Sequence, residues 1–166
     1  FKSIIPIEAV FSKNIIITGS TFINPNNDAI DVMETNLIID SSYIFRSGDK
    51  GISVGENSNV IVYNSYIKEN KIGIAIKDRS EALIVHTDFE NNNMQISSFQ
   101  KNLQYGNGGK STIYKSNFLS KKNNLYSDKK SKILIEDSSF NNKIENIDDQ
   151  VFIKKDNSFN GIKKVF

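Results

Sequence analysis

Apolar residues recur along this chain at a fixed spacing. The motif Ile/Val-x-x-Ser/Thr-x-Phe/Ile occurs at Ile17-Ser20-Phe22, Ile39-Ser42-Ile44, Val62-Ser65-Ile67, Ile84-Thr87-Phe89, Ile113-Ser116-Phe118 and Ile135-Ser138-Phe140. Successive copies begin 22, 23, 22, 29 and 22 residues apart. A second, apolar-x-apolar pattern at Ile30/Val32, Ile52/Val54, Ile74/Ile76 and, with one serine, Ile96/Ser98 keeps a spacing of 22 throughout. The apolar runs are β-branched and alternate with period two between Asn, Gly, Ser and Lys, which predicts short strands joined by turns. No segment presents a helical face.

A repeat of this length marks a solenoid. Three short strands per repeat, with like residues at like positions, describe a parallel β-helix whose rungs stack at about 4.8 Å. The expected fold class is therefore all-β: a single-stranded right-handed solenoid of about 22 residues per coil and six to seven coils. Its hand follows from the bias of parallel crossovers. Phe22, Ile44, Ile67, Phe89, Phe118 and Phe140 then form one internal stack. Ser20, Ser42, Ser65, Thr87, Ser116 and Ser138 form another, whose hydroxyls can bond along the column. Asn24, Asn26, Asn70, Asn91, Asn92, Asn123, Asn141 and Asn142 read as turn residues, because Asn tolerates left-handed backbone. The 29-residue step places an insertion at Phe99 to Lys110, and a long loop on a regular scaffold is a common place for function. Residues 1–12 read as an incomplete coil or cap, 13–150 as the β-helix and 151–166 as a C-terminal cap or partial coil. Ile147 stays in phase and Phe159 does not.

Composition narrows the chemistry. Among 166 residues there is no cysteine and one histidine, so disulfides, thiolate clusters and multi-imidazole zinc sites are excluded. Lys+Arg 21 against Asp+Glu 19, interspersed, leaves no basic stripe, and no nucleic-acid partner is expected. No apolar run approaches the roughly 18 residues that cross a bilayer as a helix, so no membrane insertion is expected. Beginning at Phe1, the chain reads as part of a longer one, whose other segments or chains are expected to touch residues 1–12.

The segments NNDAIDV (26–32), SGDKGISVGE (47–56) and IGIAIKD (72–78) resemble coils of the pectate-lyase-like right-handed β-helix superfamily, in particular its polygalacturonase-type members. That resemblance implies N-x-D, G-D-D, His-Gly and R-x-K elements on one face. Asp28 matches the first aspartate and Asp49 the first of the pair, but Lys50 stands where the second would be, and neither a His-Gly near Gly73 nor an R-x-K at Arg79 follows. Inverting hydrolysis needs two carboxyls about 6.5 to 9.5 Å apart, an arrangement a cation in one slot breaks. GDKGISVGE followed by IGIAIKDRS is also similar to β-helical segments of larger bacterial surface or secreted proteins, some with spore-coat-protein-H-type kinase domains. This likeness implies an accessory module that is secreted or at the cell surface.

Coil alignment puts Asp31, Ser53, Ala75 and Ser97 in one outward column, Glu34, Glu56, Asp78 and Gln100 in a second, and Thr35, Asn57, Arg79 and Lys101 in a third. Carboxylates in a column suit Ca2+ or sugar hydroxyls; solvated ion pairs at a turn are the plainer reading. Candidate ligand contacts are Asp31, Asp49, Lys50, Glu56, Lys77, Asp78, Arg79, Lys101 and Tyr105. Tyr43, Tyr63 and Tyr66 neighbour one another on successive coils and offer stacking faces. His86, in a column with Gly19, Ser41 and Asn64, reads as an exposed strand residue without a catalytic role. The expectation is a non-catalytic structural or carbohydrate-binding module contacting a polysaccharide or surface glycan. The alternative is a lyase or hydrolase of acidic glycans with a divergent site, in which Lys50, Lys77 or Arg79 serves as base.

Overall fold

A computed structural model describes residues 2–3, 6–142, 144–146 and 148–154; Ile147 and Phe159 lie outside the described residues, as do all positions from 155 onward. The strands sort into three seven-stranded sheets that run the length of the solenoid. Sheet 1 includes Thr21–Ile23, Tyr43–Phe45, Tyr66–Lys68 and Asp88–Glu90, sheet 2 includes Ile30–Met33, Lys50–Gly55, Ile72–Lys77 and Met94–Phe99, and sheet 3 includes Asn36–Asp40, Asn59–Tyr63 and Glu81–Val85. Every strand pairing among the described residues is parallel and joins one coil to the next, for example Tyr43–Phe45 to Tyr66–Lys68 and Lys50–Gly55 to Ile72–Lys77. Ile7–Val10 pairs with Ile30–Met33 in sheet 2, and Val151–Lys154 pairs with Lys132–Glu136 in sheet 3.

The apolar columns read from sequence are real stacks. Phe22, Ile44, Ile67, Phe89, Phe118 and Phe140 are register partners from coil to coil. Phe89 and Phe118 are fully buried, their rings parallel at 5.1 Å, with Phe118 and Phe140 at 4.5 Å. Inside the coil, the strand spacing sets these rings face to face.

The serine column bonds differently from the expected hydroxyl chain. The Oγ atoms of Ser42, Ser65, Ser116 and Ser138 accept the backbone N–H of the coil before them, as in Ser20 N to Ser42 Oγ (3.3 Å), Ser42 N to Ser65 Oγ (3.2 Å) and Thr87 N to Ser116 Oγ (3.1 Å). The hydroxyl itself donates to the carbonyl two residues earlier, as Ser42 Oγ does to Asp40 O. Each serine thus satisfies a turn N–H that has no ladder partner. The residue before it has left-handed backbone at Gly19, Ser41, Asn64, His86, Lys115 and Asp137. His86 is exposed as expected, but at this turn and not within a strand.

The expected column Thr35, Asn57, Arg79 and Lys101 does not form. Thr35 is buried and its N–H donates to Ser58 Oγ, while Ser58 N donates to Ser80 Oγ, which makes a second hydroxyl column. The reason is one residue of turn. Glu34 turns its coil with a single left-handed residue, whereas the next two coils use pairs, Glu56/Asn57 and Asp78/Arg79. Arg79 N bonds Gly108 O across the insertion, so Lys101 leaves the column altogether.

The asparagines divide. Asn24 and Asn91 hold left-handed turns, but Asn70 and Asn92 are buried in a polar ladder inside the coil, and Asn123 is buried with its Nδ2 donating to Ser120 O and Asn142 O. Asn92 Oδ1 accepts both Asn70 N and Asn70 Nδ2, and Asn92 Nδ2 donates to Ile67 O and Gln95 Oε1.

Candidate functional site

The expected contact residues occupy the outer face of sheet 2 and its two borders, and fall into separate groups. At the border with sheet 1, Lys50 Nζ lies 2.5 Å from Asp49 Oδ2 and 3.4 Å from Asp28 Oδ1, and Lys71 Nζ lies 3.6 Å from Asp49 Oδ1. Asp28 Oδ1 also accepts the Lys50 N–H at 2.9 Å. The hydrogen bond from Lys50, opposed by burial and aided by the charges of Lys50 and Lys71, holds Asp49 below the usual carboxylate range. Burial pulls Lys50 down, but its bond to Asp49 and the charges of Asp28 and Asp49 outweigh it and raise it. The cluster is closed: each carboxylate faces an ammonium.

At the border with sheet 3, Asp78 is fully buried, and its Oδ1 accepts Lys101 N at 2.7 Å and Asn102 N at 2.8 Å. This carboxylate straps the insertion, whose one helical turn Leu103–Tyr105 is capped by Asn102. Burial and the charges of Glu34, Glu56 and Asp78 push the Tyr105 phenol up. Lys77 is buried and lies along Gly55, where a Cβ would stand 3.3 Å from its Nζ. Gly109, at the end of the insertion, passes so close that a Cβ would sit 2.2 Å from Ile76 O. Arg79 and Lys101 are exposed.

Between the two groups runs the Asp31, Ser53, Ala75, Ser97 column, in the register expected. Ser53, Ala75 and Ser97 are nevertheless buried, and only Asp31 is half-buried. The strand from Lys50 to Gly55 separates the groups by about 17 Å at 3.3 Å per residue. Among the described residues no group of three or more His, Cys, Asp or Glu side chains is placed to hold a metal ion.

A third group was not foreseen as a unit. Tyr43, Phe45 and Tyr66 project from the outer face of sheet 1 as a triangle of rings, with centroids 6.0, 6.2 and 5.9 Å apart. Tyr43 is 50% exposed. Tyr63 stands apart from them on sheet 3, against His86 at 5.6 Å, because it belongs to a different strand of its coil. Beside the triangle is a depression of about 270 Å³ lined by Ile23, Phe45, Arg46, Lys68 and Glu69. Arg46 Nε lies 2.6 Å from Glu69 Oε2, and Lys68 Nζ lies 3.2 Å from Glu90 Oε1 and 3.6 Å from Glu69 Oε1. Tyr66 OH donates to Glu90 Oε2. The signal in the sequence is the outward alternation of sheet 1: Phe45 and Lys68 share a register position, as do Tyr43 and Tyr66. Reading only the inward columns passes over it. From Arg46 the chain turns at Ser47–Gly48 straight into Asp49 and Lys50, so the aromatic triangle and the closed carboxylate cluster flank one corner.

No curated protein matches the chain. The sequence model of the family described as "Right handed beta helix region" matches residues 7–147, in agreement with the uninterrupted parallel stacking of coils about 22 residues apart. The chain belongs to the right-handed β-helix family.

Proposed function

We propose that this chain is a non-catalytic, carbohydrate-binding β-helix module of a larger secreted or surface protein. The observation that carries the binding reading is the Tyr43, Phe45, Tyr66 triangle on the outer face of sheet 1. The rings meet tilted or edge to face, and Tyr43, the most exposed of the three, is the one offered to the C–H face of a sugar ring. Paired charges beside them offer donors and acceptors to hydroxyls. Turnover is disfavoured by the state of Asp49, since a carboxylate locked against Lys50 and Lys71 is the wrong species for a general acid. The Lys50 ammonium is likewise held in its charged form, which disfavours it as the base of a lyase.

The test is binding and turnover measured together on the same glycan panel. Retention of the protein by one or more polysaccharides in affinity electrophoresis, with no new reducing ends and no unsaturated products, is the expected result. Product release abolished by Asp49→Ala would overturn the non-catalytic reading.

A further inference from the structure

We infer that the ligand of the sheet 1 surface is an uncharged polysaccharide, bound with its sugar rings on Tyr43 and Tyr66 and its hydroxyls in the depression between Phe45, Arg46 and Glu69. This rests on the carbohydrate-binding reading above and narrows it to a ligand class.

The reasoning is charge closure. Among the described residues that line the depression, Arg46 and Lys68 are the cations, and Glu69 and Glu90 lie against them at 2.6 to 3.6 Å. A uronate chain entering here would meet both glutamates as well as both cations, and would have to expel Glu69 from Arg46 to gain an ion pair. A cationic glycan meets the mirror-image obstacle. An uncharged chain displaces nothing: the guanidinium N–H groups left free by the single Nε bond donate to hydroxyls, and the remaining carboxylate lone pairs accept from them. The apolar floor has the same character. Ile23 and Phe45, register partners on neighbouring coils, line the depression, and the rings of Tyr43 and Tyr66, one coil apart, stand 6.2 Å from each other. The site so described lies on sheet 1, around the corner from the Asp28, Asp49, Lys50 cluster, and uses none of its groups.

The experiment measures affinity of the purified chain for a soluble β-glucan, a xylan, a galactomannan and polygalacturonate, at about 20 mM and about 500 mM NaCl, a range over which exposed charge interactions are screened. Binding to an uncharged member that changes less than about twofold with salt, and weakens about tenfold or more in Tyr43→Ala, is the expected result. Glu69→Gln gives the second arm. It removes a carboxylate acceptor for the hydroxyls and frees Arg46 of its counter-charge, so it is expected to weaken the uncharged ligand and to create salt-sensitive binding to polygalacturonate where the parent has none. Because Tyr43 and Glu69 are surface residues, circular dichroism unchanged from the parent confirms that these variants fold. Salt-sensitive binding to polygalacturonate alone in the parent would overturn the uncharged class while leaving a carbohydrate-binding module standing. Binding indifferent to both Tyr43→Ala and Tyr66→Ala would overturn the site while leaving a carbohydrate-binding module standing, and failure of every glycan to bind would overturn the site and the reading beneath it.

Discussion

Lys50 is the residue on which the electrostatics of the sheet 1 to sheet 2 corner turn. It lies between Asp49 and Asp28, and the signs of the shifts define a pH window. Asp49 titrates below its usual 3.8, so its contribution to stability is complete above that value and is lost as pH falls through the lowered folded-state value. Lys50 titrates above its usual 10.5, so its contribution is complete below that value and is lost as pH rises through the raised one. Urea midpoints are expected to form a plateau between those limits and to fall on the acid side. In Asp49→Asn the acid limb should become shallower; an unchanged limb would show that Asp49 is not paired in solution. Asp28 acts through the backbone as well as through charge, because it accepts the Lys50 N–H while itself 7% exposed. Its replacement by alanine orphans that N–H and is expected to cost about 1–3 kcal/mol in denaturant unfolding.

At the scale of the element, two kinds of column hold the strands together, and they fail differently. The phenylalanine stack is apolar: Phe118 contacts rings above and below, at 5.1 and 4.5 Å. Phe118→Ala removes both contacts from a fully buried position and is expected to cost about 3–5 kcal/mol, with a loss under about 1 kcal/mol inconsistent with an internal stack. The asparagine ladder is polar and cooperative. Replacing Asn92 by leucine keeps its bulk but strands the donors of Asn70 and the acceptors on Ile67 and Gln95. A loss of about 2–4 kcal/mol is expected despite the added apolar surface. If Asn92→Leu proved neutral by chemical denaturation, the ladder would be a by-product of the turn and not a source of stability.

The whole molecule is quasi-one-dimensional, since each coil contacts its neighbours through all three sheets. Removing one full repeat, Ser20 to Ser41, joins Gly19 to Ser42 and leaves every inward column in phase. That variant is expected to keep a β-sheet circular dichroism spectrum and a cooperative melt. Removing only Ser20 to Ile30 shifts the following strands by half a coil, sets strand against turn, and is expected to abolish the folded state. Equal behaviour of the two deletions would contradict a solenoid held by register. The sheet 1 surface belongs to this scale too, because Tyr43 and Phe45 come from one coil and Tyr66 and Lys68 from the next.

Repetition alone determined the coil length, the three-strand coil and the membership of the Phe22 to Phe140 and Ser20 to Ser138 columns, because these inward side chains meet their own equivalents one coil away and a 22-residue period states that contact directly. The same property placed the insertion at Phe99 to Lys110, which carries the helical turn Leu103–Tyr105. Tertiary structure decided what lies at the turns and outside. One or two left-handed residues at the corner between sheets 2 and 3 moved Thr35 from an outward column into the buried column of Ser58 and Ser80. Ser53, Ala75 and Ser97 kept their register yet lost their exposure. Whether Tyr63 joins Tyr43 and Tyr66 depends on which of three sheets carries it, and spacing modulo one coil carries no information on the angle between sheets. Outward side chains answer to neighbours from different strands and to the insertion, contacts that have no period, so only folding the chain reveals which of them meet.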